Sequence, residues 1–223
     1  MKTFKSDEKD QRNYRPDDKV GQLKLSIAIN LIPKVRPVPC KDYRIIVLDP
    51  PWDFHLRETD PSHRGRCPYP SMSDQQIKDM PIAAIANRDS YLLLWVTNIH
   101  QALGVECMKK WGFTHKSTFT WEKVTKAGKP HGGLGHYGRI CTEHFLVGVM
   151  GNPGSMTSLG LTNIVNVIRT RRTKHSEKPQ ELWDIADRLA DKLEKCERLG
   201  KLSQPSRIEL FSRTPRPRGN ASY

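Results

Sequence analysis

The chain has 223 residues, with 37 Lys and Arg against 24 Asp and Glu, for a formal charge of +13. That length suits a single domain with short polar extensions, and such a fold buries enough surface to need no disulfide or metal staple. Hydrophobic residues are 36% and the mean hydropathy is −0.64. No apolar run approaches the ~20 residues of a bilayer span, and Met1 to Lys5 form no apolar signal core. Neither a membrane protein nor a Sec-secreted one is expected.

Residues 1–40 read as a polar arm and connector: a short apolar run, Leu25 to Ile32, is followed by Pro33, Pro37 and Pro39, which favour extended chain. Residues 41–213 read as the folded domain, and 214–223 as a basic tail. Tyr43 to Leu48 is a buried-strand run that ends in Asp49-Pro50-Pro51-Trp52. A polar loop leads to Ser73, whose spacing to Gln76 makes a capping box and opens a short helix. Tyr91 to Val96 reads as a second strand, and Ile99 to Trp111 as a helix closed by Gly112. Phe113 to Lys123, Glu143 to Met150, Asn163 to Ile168 and Arg207 to Phe211 supply four more strands. Before the last of them, a helix opens near Pro179 with Leu182, Ile185, Ala186, Leu189 and Leu193 on one face. Intermixed helices and strands without strict alternation predict an α/β sheet covered on both faces.

The charge is uneven. Lys123 to Arg139 has four cations and no acid, Arg169 to Lys178 five cations against Glu177, and Lys195 to Arg218 seven against Glu197 and Glu209. These stretches account for the whole excess. Cationic segments without balancing acids suit a polyanion, so nucleic acid is the expected partner, although a basic, inert surface has the same composition. Five scattered cysteines (Cys40, Cys67, Cys107, Cys141, Cys196) never form CxxC, so reduced thiols and no metal site are expected. Gly133 to Gly138 satisfies GxGxxG, but it follows a basic loop and leads into a strand. It reads better as a mobile substrate loop, with Lys123, Lys126, Lys129 and Arg139 touching phosphates.

Asp49 to Trp52 is the most informative tetrapeptide. Ligands of open α/β sheets bind beyond the carboxyl ends of strands. Two prolines stiffen the turn and remove two donors, leaving the Pro50 carbonyl free beside the acceptor-only Asp49 carboxylate. Two such acceptors match the two hydrogens of a conjugated amine, and Trp52 offers a flat face for a heteroaromatic ring. A strand-ending turn with a capping Asp and a core Trp would use the same residues.

Further blocks follow in order: Tyr69-Pro70-Ser71-Met72-Ser73, Leu94 to Asn98, Trp111-Gly112-Phe113, Glu143-His144, Gly151-Asn152-Pro153, His175 to Pro179 and Glu209 to Arg213. The ordered series resembles the DPPW-type adenine-N(6) methyltransferases, the family of the messenger-RNA adenosine methyltransferase catalytic subunit and of compact bacterial and phage relatives. The resemblance implies a Rossmann-like methyltransferase domain over 41–213, with the catalytic turn ahead of the donor-binding segments in a permuted order. It implies S-adenosylmethionine as donor, contacted by Asp49, Lys178 and Arg213, with Tyr69, Trp52 and the Pro50 carbonyl facing the target adenine. Catalysis then rests on Asp49, Pro50, Pro51 and Trp52, without a metal.

The chain departs from the family pattern in two places. No Asp or Glu occurs between Asp18 and Asp42, where relatives carry a donor-binding acid, and Gly219-Asn220 is a shortened counterpart of a longer ribose-binding segment. Asn220 is carried over as a cofactor contact on that basis, and another subunit could complete the donor site. The favoured acceptor is DNA, because the compact chain carries no recognisable RNA module; RNA is the alternative. Two other classes stay open: a catalytically silent partner in a methyltransferase heterodimer, and a protein-glutamine amide methyltransferase, which typically begins its Pro-Pro turn with Asn. The chain is expected to act in the cytoplasm of a bacterial or phage-infected cell, alone, as a homodimer or in a heterodimer.

Overall fold

The computed structural model describes residues 43–53, 71–135, 137–172, 177–195 and 207–211. The expected arm, the polar loop with Tyr69, and the segment bearing Arg213 and Asn220 lie outside them. In chain order the described elements are β1 (Tyr43–Leu48), α1 (Asp74–Lys78), β2 (Ala86–Val96), α2 (Gln101–Lys110), β3 (Thr114–Val124), β4 (Gly133–Gly135), β5 (Gly138–Ile140), β6 (Thr142–Met150), β7 (Val167–Arg171), α3 (Gln180–Lys195) and β8 (Arg207–Leu210).

Six strands form one sheet in the order β7-β3-β6-β2-β1-β8, and β4 and β5 pair separately. β1 is buried at all six positions, as a β-branched run between two parallel neighbours should be. Only β6 opposes its neighbours β2 and β3 within this sheet. The α/β class is therefore as expected, with helices on both faces. Alternate strand positions point to opposite sides. Ile46, Leu48, Leu92, Leu94, Val96 and Leu146 pack with Ile77 of α1 and with Cys107 and Met108 of α2. Ile45, Val47, Leu93, Trp95, Phe145 and Val147 pack with Leu182, Ile185, Ala186, Leu189 and Leu193 of α3.

Local signals fix several boundaries. Ser73 and Gln76 form the expected reciprocal capping box at the start of α1. Gly112 ends α2 at φ 83°, where its N–H donates to the Lys109 carbonyl and the Phe113 N–H to that of Met108. That left-handed closure needs glycine. α2 also lies close against the sheet at Gly104, where a Cβ would stand 2.7 Å from Val96 Cγ1.

Three expectations need correction. The fifth strand is Val167–Arg171, not Asn163 to Ile168, because its pairing with β3 joins Thr120 to Val167 and continues to Arg171. The Gly-rich segment is not a simple loop: β4 and β5 form a short antiparallel hairpin. Arg207 is no surface cation, since it is 4% exposed and its guanidinium donates to Asp187 and to Glu209, which is itself buried. That part of the basic excess is neutralised internally and tethers α3 to β8.

Leu189 of α3 is fully buried. Leu189→Ala should destabilise the fold by about 3 kcal/mol through lost contacts and a residual cavity, measured by urea denaturation.

Candidate active site

The carboxyl ends of the parallel strands carry a cluster of charged side chains. Asp49 follows β1 directly, and because β6 runs the opposite way, its first residues reach the same edge: Val96 of β2 pairs with His144. Parity then selects a face. Ile45, Val47 and Asp49 share one side of their strand, as do Phe119, Trp121 and Lys123 on β3, and Val147, Phe145 and Glu143 on β6. Each apolar member of these sets faces α3. The charged member closes its row at the open edge.

Lys178, two residues before α3, joins these rows. Its Nζ lies 3.2 Å from Asp49 Oδ2, 3.6 Å from Glu143 Oε2 and 4.7 Å from the centre of the Trp95 ring. Glu143 also accepts hydrogen bonds from the Lys123 ammonium and, at 2.7 Å, from Trp95 Nε1. Burial pushes the Glu143 carboxyl up, but the adjacent Lys178 and Lys123 charges and the Lys123 and Trp95 hydrogen bonds outweigh it, so the group is held below its ordinary value. Asp49 and Lys178, assigned by resemblance, are thus brought together. Glu143 and Lys123 were missed as carboxylate-site residues. Continuing the period-two pattern two positions before Phe145 and two after Trp121 finds both.

The turn itself differs from the simple expectation. The Pro50 carbonyl is not free: it accepts the Trp52 N–H at 2.8 Å. A carbonyl oxygen has a second lone pair, so one acceptor position remains. The Pro51 carbonyl accepts from the Met72 N–H at 2.9 Å, and the Asp49 N–H donates to the Leu210 carbonyl at 3.3 Å. Nor is Trp52 an open platform in this conformation. It is 3% exposed, its indole N–H donates to the Trp95 carbonyl at 2.9 Å, and its ring stacks on His100 with centroids 5.2 Å apart.

On the α2 side, Asn98 ties β2 to β6. Its amide donates to the Thr142 carbonyl at 2.8 Å, and its oxygen lies 3.0 Å from His144 Nε2. Burial lowers the His144 pKa against the opposing pull of Glu143. Beyond β8, Phe211 has φ 61°, a strained left-handed conformation for a bulky residue, and it turns the chain at the same edge.

Lys126, Lys129 and Arg139 are exposed, and so are Arg171 and Arg172. The turn carrying Lys126 and Lys129 is held by the Arg169 guanidinium, which donates to the Gly128 carbonyl at 3.0 Å and pairs with Glu122. The exposed cations of this segment therefore rest on the edge where β3 ends.

Comparison with known proteins agrees with this geometry. A family model described as MT-A70 matches residues 43–220. The chain belongs to the MT-A70 family. The MT-A70 match spans Asp49, Glu143, Lys178 and Arg213 and ends at Asn220. The chain is similar to the N(6)-adenosine-methyltransferase MT-A70-like protein of Drosophila melanogaster, with 32% identity over 172 residues, covering 75% of this chain and 26% of that protein. It is 32% identical over 113 residues to the human N(6)-adenosine-methyltransferase catalytic subunit METTL3, covering 50% of this chain and 18% of METTL3. It is 32% identical over 114 residues to the Arabidopsis thaliana N6-adenosine-methyltransferase non-catalytic subunit MTB, covering 49% of this chain and 14% of MTB. Its matches thus span about a quarter or less of each relative's length.

Because the Glu143 pKa is depressed in the fold, its ionised form stabilises the protein above the ordinary carboxylate range, and that contribution disappears as pH falls through the lowered value. Glu143→Gln should cost about 2 kcal/mol at neutral pH. The difference between variant and parent should shrink as pH falls below the ordinary carboxylate range and through the lowered value, read by urea denaturation at neutral and at acidic pH.

Proposed function

We propose that this chain transfers a methyl group from S-adenosylmethionine to the exocyclic N(6) amine of adenine in a polynucleotide. The observation that carries the reading is the Asp49 carboxylate, 3.2 Å from Lys178 at the end of β1, on a double-proline turn. The donor set has the right chemistry: carboxylates suit a sulfonium and an ammonium, and Lys178 suits a carboxylate. Asp49 and Lys178 would hold the donor, with Arg213 and Asn220 assigned by the family pattern. When bound, the donor supplies an electrophilic methyl group on sulfur.

A carboxylate such as Asp49 can accept several hydrogen bonds at once, and the Pro50 carbonyl has a second lone pair besides the one that takes the Trp52 N–H. Together they take the two hydrogens of an aromatic amine and draw its nitrogen out of conjugation. Asp49 and the Pro50 carbonyl would thereby present the amine lone pair to the bound donor, which would supply the methyl group, and the proton released by the methylated amine would pass to solvent. The work of the protein is orientation, together with negative charge placed where positive charge grows on nitrogen. Glu143, held ionised, keeps Lys178 and Lys123 in place. Trp52 acts from beneath the turn, and Tyr69 is the remaining candidate for contact with the base.

The acceptor to test first is RNA. The compactness that favours DNA does not distinguish the two sugars, whereas the named relatives are adenosine methyltransferases. Relatives described as catalytic and non-catalytic subunits also support a partner subunit. A silent-partner role is the second reading, supported by the similarity to MTB.

Nucleoside mass spectrometry with labelled donor, on matched RNA, single-stranded DNA and duplex DNA, tests the reaction. N(6)-methyladenine in RNA is the expected product; product in DNA alone would make DNA the acceptor. If no polynucleotide is methylated, alone or with the natural partner, the catalytic reading fails. Asp49→Ala should retain the fold and lose about 100-fold or more in transfer rate. Reversing Lys126, Lys129 and Arg139 to Glu should weaken polynucleotide binding. It should also flatten the dependence of log affinity on log salt by about 2 to 3, followed by fluorescence anisotropy.

A further inference from the structure

His100 occupies the 3-10 turn between β2 and α2, on the opposite face of the sheet from Lys178 and Glu143, and it is 5% exposed. Its ring lies against Trp52 at 5.2 Å with 17° between the planes. Its Nε2 lies 2.9 Å from the Asp53 carbonyl, and its Nδ1 2.7 Å from Thr97 Oγ1. A carbonyl only accepts, so Nε2 carries the proton, and in the neutral ring Nδ1 accepts from the Thr97 hydroxyl.

This matters because the turn has little backbone with which to anchor itself. Pro50 and Pro51 have no N–H, and the Trp52 N–H is used within the turn. Much of what fixes its downstream end comes from outside: the Met72 N–H, the Trp95 carbonyl and His100. Among the described residues, His100 supplies both a ring against Trp52 and a hydrogen bond to the next residue.

We propose that His100 is a positioning residue for the catalytic turn: it backs Trp52 and fixes the Asp53 carbonyl so that Asp49 and Pro50 stay aligned with the amine. The proposal rests on the methyl-transfer reading above. His100 touches no reacting atom. Its contacts lie on the α2 side, whereas Lys178 meets Asp49 on the α3 side, so donor affinity should change far less than transfer rate. A displacement of about 1 Å at such a turn is enough for a 100-fold loss of rate.

The test compares the parent protein with His100→Phe, which keeps a ring against Trp52 but loses both nitrogens, and with His100→Gln, whose amide can still donate to Asp53. Single-turnover transfer at saturating donor should fall about 10- to 100-fold in the Phe variant and be partly restored in the Gln variant. Donor Kd by calorimetry should stay within about twofold in both. Parental transfer by the Phe variant would overturn the proposal. So would loss of donor affinity in step with rate, which indicates general loosening. If the parent methylates nothing, the transfer reading fails instead, and a separate readout still reports on His100. Long-range proton–nitrogen NMR of the parent should show a neutral Nε2–H ring with slow exchange; an Nδ1–H tautomer overturns the assignment.

Discussion

The site depends on one electrostatic arrangement: two carboxylates, Asp49 and Glu143, sharing the ammonium of Lys178 at the rim of a hydrophobic sheet. Any one of these charges left alone in a half-buried position would bear a heavy desolvation cost. Together with Lys123 they balance, two against two, and each has a partner. The arrangement constrains much around it. Lys178 must arrive from the segment leading into α3, so α3 must be held firmly. Its six buried side chains and the Asp187–Arg207–Glu209 contacts hold it.

The two faces of the sheet divide the work. The α3 face carries the charges, and the α2 face carries the rings and hydroxyls that support the turn from beneath: Trp52, His100, Thr97 and, further along, Asn98 and His144. Asp49 and Trp52 belong to one tetrapeptide yet serve opposite faces. The double proline makes that division workable, because a flexible linker between them would let one side move without the other.

Much of this was legible from residue order. β1, the capping box, the glycine closure of α2 and the apolar face of α3 are local or strictly periodic signals, and the structure bears them out. The pairing of Asp49 with Lys178 came through resemblance, since nothing local in Lys178 separates it from a surface cation. Trp52 was misjudged because tryptophan chemistry says nothing about which neighbour covers it; His100, 48 positions on, decides that. The internal pairing of Arg207 was not legible for the same reason, its acids being Asp187 on a helix and Glu209 two residues along. The hairpin of β4 and β5 was hidden by glycines, which signal freedom but not the use made of it. Its bounds, like those of β7, depend on pairing partners that no local window contains.

The direction of β6 has a consequence for how such a protein can diversify. Because β3 runs towards the reactive rim and β6 runs away from it, every residue inserted between them emerges on the working side. Glu143 lies one position into the strand that follows. This stretch can therefore lengthen, shorten or change its sequence while the sheet behind stays the same. New sequence can be accommodated there without redesign of the charged rim, and each such change begins within a few residues of the carboxylate that steadies it.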